Sequence, residues 1–197
     1  MLTRGILSQL RAETSALFLC DIQDRFRPLI YRSETIIQKS ALLHSVTKLL
    51  DIPAFVTEQY PKAFGHTVPD LKVPEGHPIY EKKQFSMIVP ELEQAFMATG
   101  RNQVILCGIE GHVCVLQTAM GLVSRGIEVH IVCDAVSSQR SYDRTVALHR
   151  LSAAGCQITT TESAIFQLMG GADHPHFKAI SAMVKENSSL TNEFATD

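Results

Sequence analysis

Three residue types at three places in this chain can combine into nucleophilic chemistry: the acid Asp21, the lysine pair Lys82 and Lys83, and Cys114. An acid beside a thiol can take its proton, and a nearby ammonium stabilises the thiolate that results. Cys114 closes the passage Cys107-Gly-Ile-Glu-Gly-His-Val-Cys114, which links an apolar run to an amphipathic segment. It falls in the first turn of the expected helix, where unpaired backbone N–H groups and the helix dipole favour a negative charge. A second reading stays open for each residue: Cys114 as a small core side chain, Asp21 as a loop cap, and the lysines as solvated charge on an edge strand.

An alternation of strands and helices must position these residues. The apolar run 16–20 ends in Asp21 and reads as a buried strand with a carboxylate at its C-terminal end. Residues 33–50 put Ile36, Leu43, Val46 and Leu50 on one helical face. A strand at 53–57 leads into a loop over 58–74, which holds four prolines or glycines and is long enough to be functional. A weaker strand spans 78–83 and a short helix 89–97. The strand 104–107 turns at Gly108 into a helix with Val113, Leu116, Met120 and Val123 on one face, stopped at Gly126. Strand 127–132 runs into Cys133-Asp134, and helix 141–154 is closed by Gly155. Strand 156–160 then enters another helix through the capping-box spacing Thr159 to Glu162. Asp173-His174-Pro175 starts a last helix carrying Phe177, Ile180 and Val184 on one face, with His174 and His176 capping rather than binding metal. Residues 1–14 read as a lead-in, 15–186 as the domain and 187–197 as a frayed polar tail.

Six strands alternating with helices predict a single α/β domain of three layers, a parallel sheet covered on both faces. Ligands in such sheets sit beyond the carboxyl ends of the strands. Asp21, Glu58, Lys82, Lys83, the passage 108–114 and Asp134 all lie at such ends, so they are candidates for one shared pocket.

Composition sets the outer bounds. The 197 residues are 45% hydrophobic and 19% charged, enough for one substantial core. A formal net charge of -2 offers nucleic acid or an anionic membrane no global attraction. No apolar run has the length of a transmembrane helix. The five cysteines are scattered without a C-x-x-C pair, which suggests neither a disulfide framework nor a zinc site and fits a reducing compartment. In such a compartment the acceptor-like triplet Asn187-Ser188-Ser189 carries no weight as a glycosylation signal. The first residues contain Arg4 and Arg11 with no acid before Glu13, so they read as an ordinary lead-in helix or as a short amphipathic transit peptide. The expected compartment is accordingly the cytoplasm, with the mitochondrion as the alternative. The glycine patterns of dinucleotide and nucleoside-triphosphate sites are missing, as is the G-x-S-x-G elbow of serine hydrolases.

Over residues 16–185 the chain resembles the isochorismatase-like cysteine hydrolase superfamily. The resemblance rests on Phe18-Leu-Cys-Asp21-Ile-Gln23 with the following Phe26, on Lys82-Lys83-Gln84-Phe85-Ser86, and on Gly108-Ile-Glu-Gly-His-Val-Cys114-Val with Thr118 and Ala119 downstream. The words Thr57-Glu-Gln-Tyr-Pro61, Phe85-Ser-Met87, Cys107-Gly-Ile-Glu110 and His174-Pro175 resemble the isochorismatase domain-containing proteins in particular. The resemblance implies a catalytic triad of Asp21, Lys82 and Cys114, selecting Lys82 over Lys83. It implies a sheet of order 3-2-1-4-5-6 and a cis peptide between Ile109 and Glu110. It also implies an oxyanion hole from the N–H of Cys114 and of a residue just before it, Val113. Phe26, Tyr60, Phe85 and His112 are the expected pocket lining. The nicotinamidases of the superfamily hold a metal through Asp-x-His after the second strand. This chain has Glu58-Gln59-Tyr60 there, so no catalytic metal or other cofactor is expected and nicotinamide is discounted.

Two functions compete on these grounds. The first is a metal-independent hydrolase of small amide, carbamoyl or related carbonyl compounds. The second is a non-catalytic oligomeric interaction protein on the same fold, since the family forms dimers and tetramers and residues 66–77 offer an interface. The retained Asp21, Lys82 and Cys114 favour the first. Nuclease activity has neither an acidic metal cluster nor a basic stripe behind it.

Overall fold

The computed structural model, which describes residues 8–188 and Phe194, alternates strands and helices from end to end. In chain order these are β1 (Ser15–Cys20), α1 (Ser33–Leu49), β2 (Ala54–Gln59), α2 (Pro61–Phe64), β3 (Ile79–Lys82), α3 (Pro90–Ala98), β4 (Gln103–Gly108), α4 (Leu116–Ser124), β5 (Glu128–Val136), α5 (Ser141–Ala153), β6 (Gln157–Thr159), α6 (Thr161–Met169) and α7 (Phe177–Ser188). All six strands are parallel and ordered β3-β2-β1-β4-β5-β6, as expected. The order reverses beside β1, so the ends of β1 and β4 flank the switch point where such sheets hold ligands.

The central strands β1 and β4 are buried along their whole length, which is why they read as continuous apolar runs instead of alternating ones. Helices α1 and α6 pack on one face of the sheet, α4 and α5 on the other. On β1, Phe18 meets Phe96 of α3 edge-on at 5.3 Å and Phe55 of β2 at 5.2 Å, an aromatic seam beneath the second of these layers.

Several sequence expectations shift. Glu58 and Gln59 extend β2, so the expected loop over 58–74 begins at Tyr60 and contains α2 and a 3₁₀ turn at Pro69–Leu71. Between β4 and α4 lies a π turn, Gly111–Val115, closed by Val115 N–H donating to Glu110 O at 3.1 Å. Leu116 is buried as expected, but the wider turn rotates the following helix so that Val115, Ala119 and Leu122 join it in the core in place of Val113, Met120 and Val123. Thr160, not Thr159, caps α6, accepting from Ser163 N. Residues 8–14 contain no helix, and residues 1–7 of the expected lead-in lie outside the described residues. The tail does not fray at Asn187. Helix α7 runs to Ser188, and Asn187 is buried with its amide oxygen accepting from Lys39 Nζ of α1 at 2.5 Å. A polar residue that reads as tail is thereby satisfied inside the fold, and its side chain is closed to glycosylation. Most of 189–197 lies outside the described residues; Phe194 rests over the Arg144 guanidinium at 3.9 Å. Among the described residues no helix is long and apolar enough to cross a membrane.

Candidate active site

The register brings the chemistry together. Cys20 pairs with Thr57 of β2 and with Gly108 of β4, and Gln59 pairs with Lys82 of β3. Four strand ends therefore converge where Asp21 leaves β1. Asp21 adopts a left-handed backbone, φ 50, a conformation that aspartate tolerates better than most residues. The turn opens at Gly108, whose φ of 118 and packing forbid any side chain: a Cβ there lies 2.1 Å from Cys20 O. The Ile109–Glu110 peptide that follows is cis.

At the centre is a buried ion pair. Lys82 Nζ donates to Asp21 Oδ2 at 2.6 Å, with the two side chains 0% and 1% exposed. The other carboxylate oxygen, Oδ1, accepts from Thr57 Oγ1 at 2.7 Å. The ammonium also donates to Gln59 Oε1 at 2.7 Å and Phe85 O at 2.8 Å, so every strong donor has a partner. A buried pair persists only when its remaining polar atoms are satisfied, and here they are. Burial pulls the Lys82 pKa down, but the acidic side chains facing it, Asp21 among them, outweigh it and hold it above the ordinary lysine value. Gln23 braces the arrangement: its Oε1 accepts from Gln59 N at 2.7 Å and its Nε2 donates to Gly65 O at 2.7 Å.

Cys114 is 7% exposed and sits in the π turn. Thr118 ties this turn to the loop that carries the lysine's acceptors. Its hydroxyl donates to Cys114 O at 2.6 Å and accepts from Met87 N at 2.8 Å. Of the two expected oxyanion donors, Val113 N–H is already engaged, donating to Glu110 O at 3.0 Å to close the turn.

The other expected residues are dispersed. Lys83 faces away from Asp21, its ammonium 5.7 Å from the Tyr60 ring. Phe26 stacks on Phe64 at 4.7 Å and lines a small cavity with Ile22, Ile30 and Ile109, beside the cis peptide. Tyr60 is 42% exposed and borders a cleft with Lys62, Glu81 and Lys82. The Phe85 ring is 50% exposed; what Phe85 contributes is its carbonyl. His112 turns towards the β5–α5 connection, with Nδ1 2.9 Å from Ser138 Oγ and 3.5 Å from Glu110 Oε2. Glu58 accepts from Thr67 N at 2.6 Å and pairs with His66 at 3.0 Å, holding the β2–β3 loop. Asp134 leaves the shared pocket altogether: it lies within β5 and its Oδ1 accepts from Thr161 N at 2.7 Å, anchoring α6. His174 behaves as a cap, its Nδ1 accepting from His176 N at 3.1 Å. Among the described residues no three His, Cys, Asp or Glu side chains gather as a metal-ligand group.

Residues 15–163 match the family model of the isochorismatase domain. The chain belongs to the isochorismatase domain family. It is similar to a secreted isochorismatase effector of Phytophthora sojae, 44% identical over 96% of this chain and 93% of the relative. It is similar also to isochorismatase domain-containing protein 2 of Bos taurus, 44% identical over 94% of this chain and 90% of the relative. Among solved structures, the MAR1 ribonuclease of Caenorhabditis elegans superposes with a TM-score of 0.87 at 44% identity, covering 90% of this chain and 93% of that one. Isochorismatase-family membership accounts for the hydrolase fold. The residues missed from sequence are the ones that hold others in place: Thr57, Gln59, Gln23 and Thr118. Each stood inside or beside a quoted motif, but it takes strand register to bring Thr57 to Asp21 and Gln59 to Lys82.

Proposed function

We propose that this protein is a metal-independent cysteine hydrolase of small amide, carbamoyl or related carbonyl compounds, working through Asp21, Lys82 and Cys114. The observation that carries the reading is the buried Lys82–Asp21 pair at 2.6 Å, whose ammonium also stands in the field of Cys114. In this scheme Asp21 takes the thiol proton and Cys114 Sγ attacks the carbonyl carbon. The Cys114 backbone N–H meets the oxyanion. Asp21 returns the proton to the leaving amine, and water, deprotonated by the same carboxylate, hydrolyses the thioester. Lys82 holds the Asp21 side chain in place throughout and favours its return to the charged form after each proton transfer.

Incubation with a panel of primary amides and carbamoyl compounds tests this. Ammonia release by the wild type, a transient acyl adduct on the Cys114 peptide, and loss of both in Cys114→Ser support it. Hydrolysis that survives intact in Cys114→Ser would sink it.

The worm structure's name favours one second reading, phosphodiester cleavage in RNA. The net charge of -2 weighs against it. Degradation of a labelled RNA by the wild type that vanishes in Cys114→Ser would reverse the order of the two. The protein also self-associates in this account, as a dimer or tetramer. Tyr142, 75% exposed on α5, and exposed Met120 on α4 support a shared apolar face. Sedimentation velocity reads the state directly. Free cysteines fit the cytoplasm first and the mitochondrion second, which cell fractionation distinguishes.

A further inference from the structure

Phe194 stands beyond the end of α7, yet its ring has a built seat. The Arg144 guanidinium lies 3.9 Å from the ring centroid and that of Arg32 lies 5.1 Å from it, while the Tyr31 ring meets it edge-on at 6.1 Å. Arg32 also lies 4.7 Å over the Tyr31 ring. An aromatic face attracts each of these cations. Arg32 takes a left-handed backbone, φ 56, which its surroundings must hold in place.

The seat joins two connections that leave carboxyl ends of the sheet. Tyr31 and Arg32 end the β1–α1 loop that begins at Asp21, and Arg144 belongs to α5. Tyr31 N donates to Ser138 O at 2.9 Å, and Tyr31 O accepts from Ser137 Oγ at 2.6 Å. Arg144 Nε donates to Val136 O at 2.9 Å, and its Nη2 donates to Cys133 O. The same β5–α5 connection then grips the nucleophile's turn: Ser137 O accepts from Gly111 N at 2.7 Å, and Ser138 Oγ lies 2.9 Å from His112 Nδ1. Gly111 and His112 open the π turn that carries Cys114. Ser137 and Ser138 are fully buried, so these links lie in a medium that strengthens them.

From this geometry we infer that Phe194 is a positioning residue for the nucleophile. Seated on Arg32, Arg144 and Tyr31, it holds the β1–α1 and β5–α5 connections together, and through Ser137 and Ser138 it fixes the turn that presents Cys114. The inference rests on Cys114 being the nucleophile of the proposed hydrolase. Phe194 acts at a distance, through a contiguous chain of ring contacts and hydrogen bonds. Its chemistry separates this role from plain packing. Tyrosine keeps an aromatic face for the two guanidiniums, whereas leucine keeps apolar bulk and offers them nothing.

The test compares the full-length wild type with Phe194→Leu and Phe194→Tyr, by amide hydrogen exchange and by iodoacetamide labelling of reduced protein at neutral pH. In Phe194→Leu the peptide covering Gly111 to Val115 exchanges about fivefold faster or more, because the turn opens more often. Cys114 in that variant labels about threefold slower or more, because the thiol spends less time where the turn's donors favour its thiolate. Phe194→Tyr stays within about 1.5-fold of wild type in both readouts. Labelling of Cys156, which lies before β6 and away from this chain of contacts, is the same in all three proteins. Either readout left unmoved by Phe194→Leu, both moved equally by Phe194→Tyr, or labelling of Cys114 that becomes faster overturns the inference. Fast Cys114 labelling in the wild type that Phe194→Leu does not alter removes only the positioning role. Wild-type labelling no faster than at the other cysteines removes the hydrolase reading, and with it the nucleophile that Phe194 positions.

Discussion

Replacing Lys82 by Met removes the cation from a fully buried ion pair. Asp21, 1% exposed, then retains only the Thr57 hydroxyl at 2.7 Å and the weak Cys20 thiol donor at 3.7 Å. Three carbonyl acceptors, Gln59 Oε1, Phe85 O and Gln84 O, lose their donor in the same step. Breaking a buried pair by deleting one partner costs about 3–5 kcal/mol, most of it the stranded charge. For a chain of this size roughly 2–4 °C of melting temperature goes with each kcal/mol, so a fall of about 6–20 °C is expected. Protonating the stranded carboxyl relieves the cost, so the loss is smaller near pH 4 than near pH 8. The double variant Asp21→Asn/Lys82→Met regains part of the stability, because the uncompensated charge is gone. Thermal and urea unfolding at the two pH values read all of this. A Lys82→Met shift of less than about 2 °C, equal at both pH values, would refute the claim that this pair is a desolvated ion pair.

Three further outcomes follow from the same contacts. Gly108→Ala drives a Cβ to within 2.1 Å of Cys20 O at φ 118, so it destabilises by more than about 4 kcal/mol or prevents folding, as read by denaturant midpoint and soluble yield. Asp134→Ala strips Thr161 N of its acceptor and costs about 1–2 kcal/mol by the same assay, while Cys114 alkylation is unchanged because Asp134 lies outside the site. Burial outweighs the Glu128 partner at 2.6 Å and lowers the His130 pKa from 6.5, so the folded state binds fewer protons than the unfolded one. Stability is therefore full above pH 6.5 and is lost as pH falls below it, and His130→Gln flattens that limb of a melting-temperature curve.

How much of this was legible depended on whether a feature is written in local pattern or in register. The strands β1 and β4 announce themselves as apolar runs because helices cover both faces of the sheet. Gly108 and Gly126 mark turns that need glycine, with φ of 118 and 77. The strand order and the choice of Lys82 over Lys83 came from resemblance, since no local rule says which strand lies beside which. The π turn was invisible to a 3.6-residue period; Leu116 is buried as expected, but beyond it Ala119 and Leu122 point inward in place of Met120 and Val123. Asp134 looked like a member of the shared pocket because it follows an apolar run. In fact β5 continues to Val136, and the β4–β5 register shifts between Leu106 and Gly108, so the acid sits beside α6 instead of the switch point. Asn187 looked like tail because its partner, Lys39, is far away in sequence. The expected pocket aromatics were hard to place for a related reason: aromatic identity does not tell whether a ring or a backbone carbonyl meets Lys82, and at Phe85 it is the carbonyl.

The central claim is that Asp21, Lys82 and Cys114 act as one nucleophilic unit, and site-resolved iodoacetamide labelling across pH tests it most directly. Burial pushes the thiols of Cys107 and Cys156 up to about 12 and about 11, and it raises those of Cys20 and Cys133 as well, so the background is slow. The account predicts that reduced wild-type protein at neutral pH labels at Cys114 at least roughly tenfold faster than at any other cysteine. It also predicts that Asp21→Asn and Lys82→Met each change the pH dependence of that reaction. Labelling of Cys114 that is no faster than at Cys133, with a pH profile unmoved by either substitution, would contradict it.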